Sequence, residues 1–199
     1  MIDNLSVSSM GKCTNRMCKS YSNLKRRRLQ VEVTLQSIAY EDKQILSQLI
    51  QLYRYDSSEF DAHTLNKHGL YSYKYLDHQW TENYRRPILI KVNGEIAGFA
   101  LLILDVPKSY VKLSSEEKTN VISDFFIMRK YRRKGIGKKA AFSLFKQFKG
   151  VWEVKQTHSN KNAYEFWKKV ITAYTGNNIL KEKILHNEVW QGPILVFKS

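Results

Sequence analysis

At 199 residues, with 43% hydrophobic and 26% charged residues, the chain has the size and balance of one globular domain, and no run approaches the ~18 apolar residues of a membrane-spanning helix. Cys13 and Cys18 lie close together in a polar segment with no second pair, which argues against a disulfide framework or a zinc site and makes a reducing cytoplasm the expected setting. The net charge of +15 points to anionic partners but does not choose among nucleic acid, a membrane surface and a phosphate-bearing ligand.

The first thirty residues carry seven Lys/Arg against Asp3 alone, show no periodicity and lack the apolar stretch of a secretory signal, so a disordered basic arm is expected there. Such an arm suits nucleic acid or a targeting role. A third reading is that Lys25–Gln30 is the in-frame translation of a purine-rich ribosome-binding site. Val31 would then be the true start, and 1–30 would not belong to the native chain. From Val31 to the C-terminus a single domain is expected. VEVTLQSI alternates as a half-buried strand. Residues 41–55 read as a helix with Ile45, Leu49, Leu52 and Tyr53 on one face.

Asp56, Glu59 and Asp61 then place three carboxylates in six residues of an otherwise basic chain. Residues 62–84, rich in tyrosine, are expected to form a loosely helical second arm whose aromatics pack. ILIKV and EIAGFALLIL flank Asn93-Gly94, a strong hairpin signal. After a polar connection over 107–118, the segment 120–148 reads as a strand (Val121, Ile122, Phe125–Ile127), a basic turn, and an amphipathic helix with Ala140, Ala141, Leu144, Phe145 and Phe148 on one face. Residues 151–157 form another strand, parallel to the last across the intervening helix. Asn160 caps a helix with Ala163, Phe166, Trp167 and Val170 on one face, and 178–186 and 189–198 are closing strands. Gly192-Pro193 reads as a bulge or edge position.

The turn is the centre of the chemistry. Seven basic residues lie within Arg129–Lys139, and Gly135 and Gly137 open a helix whose first amides have no partner, an arrangement that suits a phosphate. Gly135-x-Gly137-x-x-Ala140 matches only the looser dinucleotide fingerprint. The acidic residue expected about twenty positions on is replaced by Gln156-Thr157-His158. No Walker A loop occurs.

Arg132-x-x-Gly135-x-Gly137, after a strand and opening a helix, resembles motif A of the GNAT superfamily of N-acetyltransferases. Asn160-x-x-Ala163 with position 167 resembles a second motif of that family, and the likeness covers roughly Val31 to the C-terminus. It implies an α+β fold with a central mixed, twisted sheet of six to seven strands and about four helices. The implied activity is transfer of an acetyl group from acetyl-CoA, as co-substrate and without a metal, to a primary amine in a ternary complex. Arg132, Arg133, Lys134, Gly135, Ile136, Gly137 and Lys138 would grip the pyrophosphate, chiefly through main-chain amides. Ile127 and Met128 would face the pantetheine with main-chain groups, and Asn160 and Trp167 would complete the cofactor site. Asp124, the one carboxylate on the central strand, is the candidate base or acceptor-orienting group, balanced by a structural reading as a hydrogen-bond acceptor.

The sequence departs from the family at Trp167. The family places a tyrosine there beside the sulfur, and an indole N–H cannot usefully give up a proton. Tyr164 is a weaker candidate acid. Asp56, Glu59 and Asp61 are candidates for meeting the acceptor, with a solvated acidic loop as the plain alternative. A monomer or homodimer without membrane association is expected. Two other classes stay open: a basic nucleic-acid-binding protein, disfavoured because the core holds no nucleic-acid motif, and a catalytically weak GNAT-fold protein that binds acetyl-CoA without transfer.

Overall fold

The computed structural model describes residues 31–199. The basic arm, its two cysteines and the start-site reading lie outside the described residues. The element order is β1 (Val33–Ser37), α1 (Lys43–Ser57), α2 (His78–Thr81), β2 (Arg85–Val92), β3 (Glu95–Pro107), β4 (Lys118–Ile127), α3 (Ile136–Gln147), β5 (Val151–Lys155), α4 (Lys161–Thr175), β6 (Ile179–His186) and β7 (Gln191–Lys198). The seven strands make one mixed sheet in the order β1-β2-β3-β4-β5-β7-β6, with β4 and β5 as the parallel pair. The expected mixed sheet with about four helices is the fold observed.

Period-2 alternation sorts the strands' side chains onto two cores. Ile88, Ile90, Ala100, Leu102, Ile122, Trp152 and Val154 bury against α3 and α4 through Ala140, Leu144, Phe145, Trp167 and Val170. Leu89, Phe99, Leu101 and Phe126 face the other way, onto Leu46, Leu49 and Ile50 of α1. Burial on both faces is why β2 and β3 read as continuous apolar runs.

Two features of β4 shape the site. It pairs with β5 only over Asn120–Ile122, yet runs on to Ile127. Its register with β3 shifts between Leu101 and Leu102, so that Ser123 is an extra residue. A bulge of this kind bends a strand and sharpens its twist. β4 therefore leaves β5 at Ser123 and opens a cleft between them. Beyond the bulge β3 holds β4 closely: a Cβ at Gly98 would lie 1.9 Å from the Phe126 carbonyl oxygen.

On β5, Glu153 is fully buried. Its carboxylate accepts the Lys112, Leu113 and Ser114 amides at 2.8, 2.8 and 2.9 Å, which pins the connection between β3 and β4. A buried carboxylate persists in a core only when its lone pairs are taken up in this way.

Several expectations are corrected. Residues 62–84 are mostly irregular, with His78–Thr81 as the helical turn. Asn66 takes the His68 and Leu70 amides on its side-chain oxygen, competing with helix formation, and Gln51 on α1 pairs with both main-chain groups of Tyr71. The arm's aromatics do pack: Tyr73, Leu76 and Trp80 lie against the α1 core. Leu52 is 50% exposed, and Leu46 and Ile50 take its place on the buried face of α1. β7 is interior, between β5 and β6, and its register with β6 is unbroken at Gly192 and Pro193. Glycine is required at 192 because a Cβ there would lie 2.1 Å from the Gln156 carbonyl oxygen.

Candidate active site

The turn between β4 and α3 has the geometry of an anion site. Arg133 and Gly135 both adopt the left-handed conformation, at φ 61° and 74°. No side chain caps the α3 N-terminus, and the first helical bond runs from the Lys139 amide to the Gly135 carbonyl. The amides of Ile136, Gly137 and Lys138 therefore lie ahead of the ladder, at the positive end of the helix dipole. A Cβ at Gly135 would meet nothing within 4 Å, so the approach is open; one at Gly137 would lie 3.1 Å from the Phe166 ring. A phosphate-bearing ligand fits this surface.

Arg132 lines the cleft and also clamps the turn. Its Nε donates to the Ile127 carbonyl at 2.6 Å, and its terminal nitrogens donate to both carboxylate oxygens of Asp56, at 3.2 and 2.6 Å. Arg129 adds a bond to Asp56 at 3.0 Å. Burial raises the Asp56 pKa, but the hydrogen bonds from Arg132 and Arg129 outweigh it and hold the carboxyl below its ordinary value. Asp56, expected beside an amine, is instead the clamp that fixes the basic turn to the end of α1. Lys134 likewise turns back, donating from Nζ to the Lys130 carbonyl at 2.9 Å.

Main-chain directions on β4 refine the pantetheine reading. The Met128 amide donates to the Ala97 carbonyl at 2.8 Å and so points toward β3. Its side chain packs in the two cores. Ladder alternation puts the main-chain groups of Phe125 and Ile127 on the opposite side, toward the open cleft. Met128 is thus removed from the set, Phe125 joins it, and the Ile127 carbonyl is already taken by Arg132.

Asp124 sits one residue past the bulge. Its Oδ2 accepts the Tyr73 hydroxyl at 2.8 Å and the Ser123 hydroxyl at 2.9 Å, and its charge also acts on the nearby Tyr53 hydroxyl. Burial, followed by the Asp124 charge, raises the pKa of both tyrosines, so each stays protonated. The guanidinium of Arg54 lies 5.2 Å from the Tyr73 ring centre and 5.7 Å from that of Tyr53. Sequence reasoning missed Tyr53 and Tyr73. Tyr53 carried a signal, standing four residues after Leu49 on the apolar face of α1; Tyr73 was one tyrosine among several in an irregular arm.

A cleft of about 890 Å³ runs from the basic turn to the end of α1; Tyr53 lines it, while Asp124 and Tyr73 lie outside its lining. At one end are Arg133, Gly135–Lys138, Asn160 and Lys169; at the other are Tyr53, Asp56, Ser57, Glu59 and Phe60, with Phe125 and Ile127 between. The Asn160 side chain also caps α4, accepting the Ala163 amide at 3.0 Å. Trp167 borders the cleft but is only 5% exposed, packed edge-on to Phe125 with ring centres 5.0 Å apart. Tyr164 is turned away. Its hydroxyl bonds Glu182 and Lys168 on the β6 side, and the Glu182 hydrogen bond raises its pKa, which does not suit an acid acting in the cleft. Asp61 lies outside the lining and contacts His63 at 3.8 Å. Among the described residues no group of three His, Cys, Asp or Glu side chains is placed to hold a metal ion, and no helix is long and apolar enough to cross a membrane.

The acetyltransferase (GNAT) family model matches residues 49–171, from the middle of α1 to within α4. The chain belongs to the GNAT acetyltransferase family. Solved structures of the same fold include an acetyltransferase from Thermus thermophilus (13% identity, TM-score 0.60, 84% of this chain and 97% of that one). A second is aminoglycoside acetyltransferase AAC(6')-Ib in complex with coenzyme A and kanamycin (16%, 0.59, 84% and 95%). A third is an aminoglycoside acetyltransferase from an uncultured soil metagenomic sample, in complex with sisomicin (19%, 0.53, 78% and 93%). At these identities the likeness concerns the fold. No curated protein matches the chain. As a GNAT enzyme it is an acyltransferase, and the splayed β4, the basic turn and α3 all lie inside the matched segment.

Proposed function

We propose that the chain moves an acetyl group from acetyl-CoA to the primary amine of an acceptor bound at the α1 end of the cleft. The observation that carries this reading is the uncapped N-terminus of α3, with Arg133 and Gly135 both left-handed, opening onto the gap where β4 leaves β5. The amides of Ile136, Gly137 and Lys138 would hold the pyrophosphate, with the Arg133, Lys138 and Lys169 side chains supplying positive charge around it. Asn160 and Trp167 would border the cofactor further along. Acetyl-CoA supplies an activated thioester carbonyl.

The chain's own residues do the rest. The outward-facing main chain of Phe125 and Ile127 aligns the carbonyl, and an amide there polarises it. Asp124, fixed by the hydroxyls of Tyr73 and Ser123, takes the proton that leaves the acceptor's ammonium. The amine nitrogen then bonds to the acetyl carbon as the carbon–sulfur bond breaks. Trp167 holds no acidic proton and Tyr164 faces away, so the proton for the departing sulfur comes from water.

Calorimetric titration of acetyl-CoA into the full chain, followed by a thiol-release assay over a panel of amines, tests this. Saturable binding and amine-dependent release are expected. No binding sinks the reading; binding without release with any amine leaves an acetyl-CoA-binding protein.

A further inference from the structure

Resting on the transfer reading, we propose that the acceptor is an α-amino acid, met at its ammonium by Asp124 and at its carboxylate by Lys155. The sheet sets these two residues on one face, across the gap between β4 and β5. Val121 on β4 pairs with Glu153 on β5, and both turn toward the connection between β3 and β4. Lys155, two residues on, turns to that same face. So does Asp124. Along β3, Phe99, Leu101 and Ile103 share one face, and Leu101 is paired with Asp124 as Ile103 is with Val121. The last pair between β4 and β5 is Ile122 with Val154, so Lys155 stands on one rim of the gap and Asp124 on the other. The strands have only just parted there. A ligand that reaches both rims therefore carries its two charged groups close together, as an α-amino acid does.

The contacts leave each rim one kind of partner to find. Oδ2 of Asp124 accepts two neutral hydroxyls, and no cation pairs with the carboxylate among the described residues. Lys155 is half-buried, and its Nζ donates to no oxygen among the described residues. It lies 5.0 Å from the ring centre of Trp190, whose own Nε1–H is buried without an acceptor. Glu153 does not serve it, since both carboxylate oxygens already accept backbone amides. Burial lowers the Lys155 pKa; the Glu153 charge opposes this and Lys112 adds to it. A half-buried ammonium without an acceptor gains from an arriving carboxylate, which returns the hydrogen bonds that burial removed. An acceptor with a second ammonium in place of the carboxylate would meet Lys155 and Lys112 instead, a repulsion that selects against it.

The experiment takes glycine, L-methionine and L-phenylalanine, each beside its own amide, which keeps the ammonium and side chain and removes the negative charge. Thiol release gives kcat/KM for each, with kanamycin as a polycation for comparison. Calorimetry gives their dissociation constants for the coenzyme A-saturated full chain. At least one acid is expected to lead its amide by about tenfold or more in both measures. Lys155→Met should bring that ratio to within about twofold, and Lys155→Arg should keep most of it. Lys155→Gln serves in its place if the methionine variant does not fold. Amides that match or outrun their acids overturn the assignment and leave acetyl transfer intact. So does a ratio unmoved by the loss of the Lys155 charge, or turnover of kanamycin with none of the acids. If no amine is turned over, the transfer reading fails, and the dissociation constants still decide the assignment: no acid bound more tightly than its amide overturns it.

Discussion

Arg132 grips both carboxylate oxygens of Asp56, 76 residues before it in the chain, while its Nε holds the Ile127 carbonyl. One guanidinium thus ties the end of α1, the tip of β4 and the basic turn together. Asp56→Asn should cost about 1–2 kcal/mol, the size for a bidentate pair that water partly reaches. The Asp56 carboxyl lies below its ordinary value of 3.8 in the folded protein. Its contribution is therefore complete above 3.8 and is lost as pH falls through the lower folded value. Denaturant titrations should show the wild-type advantage over Asp56→Asn vanish at that acid end.

Asp124→Asn should lower kcat/KM by about a hundredfold or more, since the amide cannot take a proton, with acetyl-CoA affinity unchanged. Tyr73→Phe should lower it by about tenfold, because one of the carboxylate's positioning donors is gone. Tyr164→Phe should stay within about twofold of wild type, its hydroxyl being engaged with Glu182 and Lys168 outside the cleft. Steady-state kinetics on the acceptor found by the panel separates the three.

Trp167→Tyr should retain turnover yet lose about 1–3 kcal/mol of stability, because the indole fills a core position against Phe125 and Phe145. Matched denaturant curves and kinetics check both halves.

Gly98→Ala should be more damaging than a single methyl suggests. The added Cβ falls 1.9 Å from a backbone oxygen, so β3 and β4 must separate, at a cost of about 3 kcal/mol or more. β4 carries the cleft, so acetyl-CoA affinity measured by calorimetry should weaken with it.

The elements legible in advance were those set by local rules. Asn93-Gly94 turns the hairpin with φ of 50° and 83°, and Asn160 caps α4 through its own side chain, both settled within a few residues. The basic turn was legible for the same reason. The Asp124 cage and the Asp56 clamp were not. Each joins residues from distant segments, Tyr73 to Asp124 across 51 positions and Asp56 to Arg132 across 76. No periodicity or spacing records such a meeting. Asp56 was conspicuous in the sequence as an acidic residue in a basic chain, but whether it faced a substrate or a guanidinium depended on where α1 ended relative to the turn. Met128 went astray because main-chain direction alternates along a strand, and at Ser123 β4 carries an extra residue against β3 and loses β5.

Glu153 receives three amides that precede it by 39 to 41 residues. A chain leaves the ribosome N-terminus first, at roughly 5–20 residues per second, so those amides are made roughly two to eight seconds before their acceptor. Throughout that interval the connection into β4 has only its local bonds, such as that between the Ser114 and Thr119 hydroxyls. The strand that bears the cleft is thus locked late, by a side chain of the strand it later parts from. A nascent chain halted short of residue 153 would hold the hairpin and the basic turn, but not the anchor that fixes how β4 enters the sheet.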